Sequence, residues 1–258
     1  MSHAEQPTAA AEPGEEPVRI SVCIPAYNEE GSIAAAVAEA VDVLGQIPGR
    51  HEVLVCDDGS HDRTWAILTE LAAHHTPMLR PMQHEANQGY VAATRTLIQA
   101  ARGRYIAQYP ADREWRMSEI PRLLEAIEQG GYDVVIGVRR HKQYTLWRKL
   151  VSGAFNLTVA ALWGRHFGDI GSIKLARASL WKLIPLGSPS AAGQAERLLI
   201  AYRNGARIGT LPVDHTARAT GKSTYASPLQ AVRAFLDVVK FRFSSRSRHR
   251  LPDGWRDG

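Results

Sequence analysis

Four short polar segments carry the residue types best suited to chemistry in this 258-residue chain. They are residues 24–30 (IPAYNEE), 56–60 (CDDGS), 87–89 (NQG) and 110–114 (PADRE). The first, second and fourth stand where an apolar run ends, which places carboxylates along one edge of a predicted sheet. Ligands of open α/β sheets bind at the carboxyl ends of the strands. Acidic groups at this edge favour a divalent metal ion together with a phosphorylated ligand.

Two acidic pairs follow predicted strands. Asp112 and Glu114 are suited to a divalent cation that bridges a diphosphate, because Mg²⁺ usually takes one or two carboxylates plus substrate phosphates. Asp57 and Asp58 are suited to accept hydrogen bonds from ribose hydroxyls or from the amide edge of a base. Each pair taken alone is about equally consistent with an ordinary polar turn.

Arginines in the second half of the chain supply groups for phosphate recognition, since guanidinium pairs bidentately with phosphate. The alternative is a scattered, solvated surface. Residues 216–223 end in Gly-Lys-Ser but have Thr216 where a phosphate loop needs glycine, and no G-x-G-x-x-G follows the first strand. The histidines show no metal-ligand spacing. The arginine set is Arg139, Arg140, Arg148 and Arg218.

Hydrophobic periodicity predicts strands alternating with helices as far as residue 138, and hence a mostly parallel sheet with right-handed crossovers. After this point the pattern changes. A long amphipathic helix is predicted at residues 147–166, a strand at 169–175, a helix at 192–203 and a strand at 206–213. A closing amphipathic helix is predicted at residues 228–243. We expect this second half to build a second binding surface.

The composition, with 45% hydrophobic and 22% charged residues and a net charge of +5, is that of a soluble globular protein. Cys23 and Cys56 lie in apolar runs, which predicts core residues in a reducing compartment. The chain shows no signal-peptide pattern and no run of about 18 apolar residues. These features predict a cytoplasmic protein, with peripheral contact to the cytoplasmic membrane face left open.

Both ends of the chain are predicted to be disordered tails, residues 1–17 and 244–258. The second is rich in arginine. It is interpreted as a solvated tail or as a segment attracted to an anionic membrane, worth about 1 kcal/mol per basic residue near the surface. Nucleic acid is the weaker interpretation, because no aromatic residues are interleaved with the arginines.

Taken together, residues 19–225 resemble the family 2 glycosyltransferases with the GT-A fold. Within this family they resemble the polyprenyl-phosphate sugar synthases, such as the dolichol-phosphate mannose synthases. The resemblance implies an α/β fold whose Rossmann-like, mostly parallel sheet is flanked by helices. It implies a GT-A domain at residues 18–225, with a nucleotide-sugar-binding half (18–140) and an acceptor half (141–225). The amphipathic helix at residues 226–243 follows.

On the donor side, the resemblance implies a nucleotide-sugar site. The family's P-x-Y-N-E and D-D-G-S motifs correspond to nucleobase and ribose contacts, and its N-x-G motif opens the next helix. This sequence departs from the family's metal motif, D-x-D-x-Q. Proline stands in place of the first aspartate, and glutamate stands in place of the glutamine. Asp112 is then the metal ligand for Mg²⁺ or Mn²⁺, and Glu114 restores the lost charge. The implied donor-site residues are Pro25, Tyr27, Glu29, Asp57, Asp58, Asn87 and Asp112.

On the acceptor side, the resemblance implies a phosphate site. Arg148 and Ser152, four apart on one helix face, resemble the pair that binds the acceptor phosphate. Asp169 opens a segment similar to D-x-x-S-G-F-R-L, and Arg218 stands in an R-x-x-G-x-S segment that closes over both ligands. The implied acceptor-binding residues are Arg139, Arg148, Ser152, Gln194, Glu196 and Ser223.

The implied reaction is transfer of a sugar, with inversion, from a GDP- or UDP-sugar to a lipid phosphate. The metal and Arg218 would stabilise the leaving diphosphate. A phosphate acceptor needs no general base, whereas a soluble hydroxyl acceptor needs one, with Asp169 or Glu196 as candidates. A cytosolic transferase acting on such a hydroxyl is the first alternative. A non-catalytic nucleotide-sugar binder, supported by Pro110, is the second, and a nucleotidyltransferase is more distant.

Overall fold

The computed structural model describes residues 16–140, 146–188, 192–214 and 228–256, without the side chains of Leu146, Arg148, Pro228 and Gln230. The predicted N-terminal tail lies outside this description apart from its last two residues. Two predicted site residues, Arg218 and Ser223, lie outside it, as does the side chain of Arg148.

One seven-stranded sheet forms the centre of the protein, with the strand order β3-β2-β1-β4-β6-β5-β7. Strand β6 is antiparallel to β4 and to β5, and the other neighbours are parallel. The predicted mostly parallel sheet is therefore confirmed. The strands are β1 (Val18–Ala26), β2 (Arg50–Asp57), β3 (Leu79–Gln83), β4 (Tyr105–Gln108), β5 (Val134–Arg139), β6 (Lys174–Arg177) and β7 (Ile208–Val213).

Helices cover both faces of the sheet. The Asp62 carboxylate accepts a hydrogen bond at 2.9 Å from the amide of Thr64, the first residue of the second helix. The helices are α1 (Ile33–Gly45), α2 (Thr64–His75), α3 (Tyr90–Ala100), α4 (Ile120–Gln129), α5 (Leu146–Trp163), α6 (Ala178–Leu183), α7 (Ala192–Arg203) and α8 (Pro228–Phe243). Short 3₁₀ turns cover Met117–Glu119 and Ser245–Arg248.

The core consists of two apolar layers separated by the sheet. Side chains of α1, α2 and α4 form one layer, and those of α3 and α5 to α8 form the other. Strands buried on both faces have near-continuous apolar sequences, which is why β1, β2 and β5 are evident from sequence. Cys23 and Cys56 are free and buried, as predicted. Burial raises the pKa of the Cys56 thiol to about 12 and also raises that of Cys23.

The described part of the C-terminal segment packs against the body, which corrects the prediction of a disordered basic tail. The Leu251 side chain is buried, and its amide donates to Asn204 Oδ1 at 2.9 Å. The Arg246 side chain reaches the buried carboxylate of Glu196, and Arg256 Nη2 lies 3.3 Å from Asp133 Oδ2. Two buried carboxylates thus draw arginines of this segment onto the body.

Candidate active site

The carboxyl ends of β1, β2, β4 and β5 meet at one edge of the sheet, where the sequence places the polar segments. Ala26, the last residue of β1, pairs with Asp57, the last residue of β2, so Tyr27 leaves β1 at the level of Asp57. Strand β4 pairs with β1 and leads into the loop that carries Asp112. Since β6 runs the opposite way, its preceding turn, with Asp169, begins at this same edge. Along the sheet, the chain goes from β1 to β2 in one direction and from β4 to β5 in the other, which makes the boundary between β1 and β4 a switch point where ligands of such sheets bind.

Asp57 is fully buried at the end of β2. Its Oδ1 accepts hydrogen bonds from the amide, at 3.2 Å, and from the hydroxyl of Ser60. Its Oδ2 accepts one from Gln83 Nε2 at 3.0 Å. The carboxylate therefore fixes the turn after β2 and ties it to the end of β3. Its predicted contact with a base or ribose stays a prediction.

Asp58 organises the neighbouring loop. Its Oδ1 accepts from the Gln88 amide at 3.0 Å and lies 2.7 Å from His84 Nδ1, and its Oδ2 accepts from the Gly89 amide at 2.7 Å. Gly89 has a φ of +89°, in the left-handed region that favours glycine, directly before α3. These contacts hold residues 84–89, and with them the exposed Asn87, against the sheet edge.

The loop after β1 is pinned to the start of α2. The Asn28 amide donates to the Ser60 hydroxyl at 2.8 Å, and the Glu29 amide donates to Thr64 Oγ1 at 2.9 Å. Tyr27 is exposed and makes an edge contact with His61, with ring centroids 6.4 Å apart. The fixed backbone therefore presents a free aromatic face beside Asp57, which suits stacking of a flat base.

The loop after β4 carries the candidate metal ligands. Asp112 is half-buried, and its Oδ1 accepts a hydrogen bond from the Glu114 amide at 3.0 Å. Glu114 is buried. The loop is anchored to α1, because Glu39 accepts from Arg113 Nε and from the Met117 amide, both at 3.0 Å. Asp112 and the buried Glu114 thus belong to a loop that is anchored at the centre of the sheet edge.

A buried ion pair joins three loops of the site. Arg139, at the end of β5, donates from Nε and Nη2 to the two oxygens of Asp169 at 2.6 and 2.7 Å. The two side chains are only 7% and 1% exposed. The guanidinium carbon also lies 5.1 Å from the centroid of the Trp115 ring. Trp115 follows Glu114 directly, so this contact links the metal-ligand loop to Arg139 and Asp169.

A second buried cation lies behind this pair. Lys174 Nζ donates to the Ser172 carbonyl at 2.8 Å and to Gln194 Oε1 at 3.3 Å. Burial lowers the pKa of Lys174 to about 7, although Asp169 raises it. Gln194 in turn donates to the Tyr90 hydroxyl at 3.3 Å. This chain of contacts places the predicted acceptor residue Gln194 between the two halves of the site.

The described hydrogen bonds of Glu196 go to other parts of the protein and not to Lys174 or Gln194. Its carboxylate accepts from the Ser188 amide at 3.2 Å and pairs with Arg246. Burial raises its pKa, and the Arg246 charge opposes that rise. In the structure Glu196 therefore holds the C-terminal segment, and its predicted contact with the acceptor stays a prediction. Ser152 lies half-buried on α5, where the sequence places it.

Sequence reasoning missed several residues that shape the site. Lys174 lies inside the motif that Asp169 opens, and Trp115 directly follows the motif at residues 110–114. Gln83, His84 and Tyr90 lie just outside the recognised motifs. The position of Gln83 at a predicted strand end beside the aspartates was the available signal. The Arg139–Asp169 contact spans 30 residues and left no local signal.

Among the described residues, no group of three or more His, Cys, Asp or Glu is placed to hold a metal ion. Asp112 and Glu114, two residues apart in one loop, are a donor set that suits a cation taking one or two carboxylates and completing its shell with diphosphate oxygens and water. This is the coordination typical of Mg²⁺ at nucleotides. The donor set, hard oxygens without sulfur or imidazole, agrees with such an ion.

Comparison with protein families gives a match to glycosyl transferase family 2 over residues 21–193. The chain belongs to this family. This family 2 glycosyltransferase is 30% identical over 239 residues to a dodecaprenyl-phosphate galacturonate synthase of Rhizobium johnstonii. The aligned region covers 90% of this chain and 69% of that protein. It is 33% identical over 220 residues to an undecaprenyl-phosphate 4-deoxy-4-formamido-L-arabinose transferase of Aeromonas hydrophila, covering 85% of this chain and 66% of that protein. The chain thus spans about two thirds of these relatives.

Solved structures show the same fold. Glucosyl-3-phosphoglycerate synthase from Mycobacterium tuberculosis, in complex with Mn²⁺, UDP and glucosyl-3-phosphoglycerate, matches with a TM-score of 0.66 at 20% identity. The match covers 92% of this glycosyltransferase and 82% of that chain. The complex of the same enzyme with Mg²⁺ and UDP matches with a TM-score of 0.65. The GT-A fold expected from the sequence is therefore confirmed.

Proposed function

We propose that this glycosyltransferase moves a sugar from a nucleoside-diphosphate sugar to a polyprenyl-phosphate acceptor at a membrane surface, with inversion at the anomeric carbon. The polyprenyl-phosphate relatives support the acceptor class. The single observation in this chain that carries a lipid acceptor is an exposed apolar face formed by α5 and α8.

Two exposed apolar stripes make up this face. The stripe on α8 consists of exposed apolar residues at every third or fourth position: Leu229, Val232, Leu236, Val239 and Phe243. Leu229 is 81% exposed and Phe243 is 73% exposed. On α5 the same spacing gives the exposed residues Trp147, Leu150, Ala154 and Leu157. Such stripes normally face a protein core. Here the opposite side of α8, with Ala234, Val238 and Phe241, is the buried one.

The two stripes lie on the same side of the helix pair where Phe155 meets Phe235. Phe155 packs edge-on against Phe235 with ring centroids 5.5 Å apart, and Trp163 stacks on Phe241 at 6.0 Å, so the helices run side by side in one direction. At about 100° per residue, the stripe lies roughly 120° from Phe155 on α5 and roughly 80° from Phe235, in the opposite sense, on α8. For parallel neighbours this places both stripes on one surface at the level of the Phe155–Phe235 contact.

The charges around the face favour an anionic membrane. Arg233 and Lys240 are exposed beside the α8 stripe, and Lys149 is exposed beside the α5 stripe. A second copy docked on α8 would bring these like charges together, which opposes a helix pair of the coiled-coil type. Apolar stripes flanked by Lys and Arg are the pattern of helices that lie in a membrane interface. No helix among the described residues is long and apolar enough to cross a membrane.

At the sheet edge, we propose that Tyr27 stacks on the nucleobase and that Asp112, with Glu114 nearby, holds Mg²⁺ or Mn²⁺ at the donor diphosphate. The ion, when bound, neutralises charge that develops on the leaving diphosphate. Arg139 is held beside the same loop and would face the phosphate of the acceptor. Asp169 engages both of its oxygens with Arg139, which fits a phosphate acceptor that needs no general base.

Flotation with vesicles tests the membrane part of this proposal. Wild type should float with phosphatidylglycerol vesicles and not with phosphatidylcholine vesicles. The double variant Leu236→Glu/Phe243→Glu should not float with either kind of vesicle. Ala66→Glu, at an exposed position on α2, is the control for added charge. With polyprenyl phosphate in the vesicles, the double variant should lose most lipid glycosylation. Undiminished flotation and transfer in that variant would overturn the assignment, and transfer only to water-soluble compounds would indicate a soluble acceptor.

A further inference from the structure

A basic cleft lies on the flank of the molecule, between α3, α6, α7 and the C-terminal segment. Its volume is about 300 Å³, and its walls combine apolar side chains, among them Ile98, Ile184 and Leu186, with cationic ones. The cationic lining residues are Arg95, Lys182 and Arg197, joined by His249. No acidic residue is among its described lining residues. This cleft shares no lining residue with the sheet-edge site described above.

Arg197 is the most unusual group in the cleft, because it is a fully buried cation whose described partners are all neutral. It is 1% exposed. Its Nη2 donates to the Trp181 carbonyl at 2.8 Å, its Nη1 donates to Gln108 Oε1 at 3.4 Å, and its guanidinium carbon lies 4.0 Å from the Trp181 ring centroid. Its buried Nε has no hydrogen-bond partner. Burial lowers the pKa of Arg197 to about 9.

A buried charge of this kind is costly unless an opposite charge accompanies it. Some buried charges of the described structure are paired, as Glu196 is with Arg246 and Asp133 with Arg256, whereas the described hydrogen bonds of Lys174, like those of Arg197, go to neutral groups. The ion pairs of the described residues include neither Arg197 nor its cleft neighbours Arg95 and Lys182. An anion in the adjoining cleft would supply the missing counter-charge.

The positive charge continues beyond the cleft. A second cleft of about 260 Å³ shares His249 and is lined by Arg203, Asn204, Arg248 and Arg250. These arginines also take no part in the ion pairs of the described residues. The C-terminal arginines that do not bind Glu196 or Asp133 therefore surround a concave surface, which raises the local concentration of anions.

We propose that the 300 Å³ cleft is a binding site for the phosphate group of a small phosphorylated molecule, with Arg197 as its buried counter-charge. Guanidinium groups bind phosphate oxygens through paired, charge-assisted hydrogen bonds. Apolar walls beside the cations leave room for a short carbon skeleton. Gln108, the last residue of β4, connects Arg197 to the strand that leads into the Asp112 loop.

Calorimetric titration of the full chain with inorganic phosphate and with glycerol 3-phosphate tests this site. Saturating UDP and Mg²⁺ are present throughout, so that the sheet-edge site is filled, and ionic strength is held constant. We expect one site per chain. Lys182→Gln and Arg95→Gln should each weaken binding about tenfold, and the double variant about a hundredfold. Arg104→Gln, an exposed arginine outside both clefts, should bind as wild type does.

Arg197→Lys keeps the charge but loses the paired donors, and should weaken phosphate binding by at least about tenfold with an unchanged far-ultraviolet circular dichroism spectrum. Because Lys182 and Arg95 are more exposed than Arg197, their variants keep the test valid if the Arg197 variant does not fold. The proposal would be overturned if wild type showed no saturable phosphate binding. It would also fail if phosphate binding survived in the Lys182/Arg95 double variant. Loss of phosphate binding in Asp112→Ala together with normal binding in the Lys182/Arg95 double variant would likewise overturn it.

Discussion

Replacing Asp169 with asparagine is expected to destabilise the protein without removing a catalytic base. The substitution keeps the shape of the side chain but removes the charge that Arg139 faces at 2.6 and 2.7 Å. Because the two side chains are 1% and 7% exposed, solvent cannot replace the lost partner. The guanidinium would keep its contact with the Trp115 ring, which offsets only part of the loss.

Breaking a buried ion pair by removing one partner typically costs about 3–5 kcal/mol. Since the amide oxygen introduced by Asp169→Asn would still accept one hydrogen bond from Arg139, we expect a loss near the lower end, about 3 kcal/mol. For a domain of this size that corresponds to a fall in Tm of roughly 6–12 °C. Asp214→Asn is the matched control, because Asp214 pairs with Arg140 at 3.8 Å and both side chains are nearly half exposed. The control should lose less than about 1 kcal/mol.

Urea unfolding of wild type, Asp169→Asn, Arg139→Met and the double variant measures the coupling directly. The double-mutant cycle should give an interaction free energy of at least about 2 kcal/mol. Sugar transfer, measured well below the Tm of each variant, should fall by less than about tenfold in kcat for Asp169→Asn. Near-wild-type stability combined with abolished turnover would refute the reasoning, because Asp169 would then act on the reactants and not through Arg139.

Three further outcomes follow from buried groups. Burial lowers the pKa of Lys174 to about 7 from 10.5 in the unfolded chain. Between these two pKa values the unfolded chain binds more protons than the folded protein, so the free energy of unfolding should rise with pH by up to about 1.4 kcal/mol per pH unit. Urea titrations at about pH 7 to 9 should show this slope in wild type and not in Lys174→Met. Asp58→Ala should cost about 1–3 kcal/mol and speed amide exchange at Gln88 and Gly89 first, whereas unchanged exchange would contradict its role in that loop. The Cys56 thiol should resist alkylation at about pH 8 in the native protein and react in urea.

The parts of the fold that the sequence predicts are those with long, regular patterns. Strands β1, β2 and β5 each contain an apolar run, and α4 repeats its buried residues at helical spacing. Helix α6 has six residues and β6 has four, too few for a period to be visible. The antiparallel direction of β6 depends on its pairing partners, which lie far away in sequence.

The candidate site was predictable as a set of residue types and not as a set of contacts. Asp57, Asp112 and Arg139 stand at strand ends, so topology alone brings them to one edge. The pairing of Arg139 with Asp169 and the burial of Arg197 arise from tertiary packing. The arginines at the C-terminal end predicted a solvated tail. The number of charges in the sequence does not show that Glu196 and Asp133 are buried and need positively charged partners.

Transfer of labelled sugar to polyprenyl phosphate is the most direct test of the proposed activity. UDP- and GDP-sugars are supplied with Mg²⁺ or Mn²⁺ and vesicles with or without the lipid phosphate, and solvent-extractable label is counted. We expect extractable label that requires the lipid phosphate and the metal ion, falls by at least about a hundredfold in Asp112→Asn, and persists in Asp214→Asn. Nucleotide binding without turnover, or label transferred only to soluble compounds, would contradict a polyprenyl-phosphate glycosyltransferase.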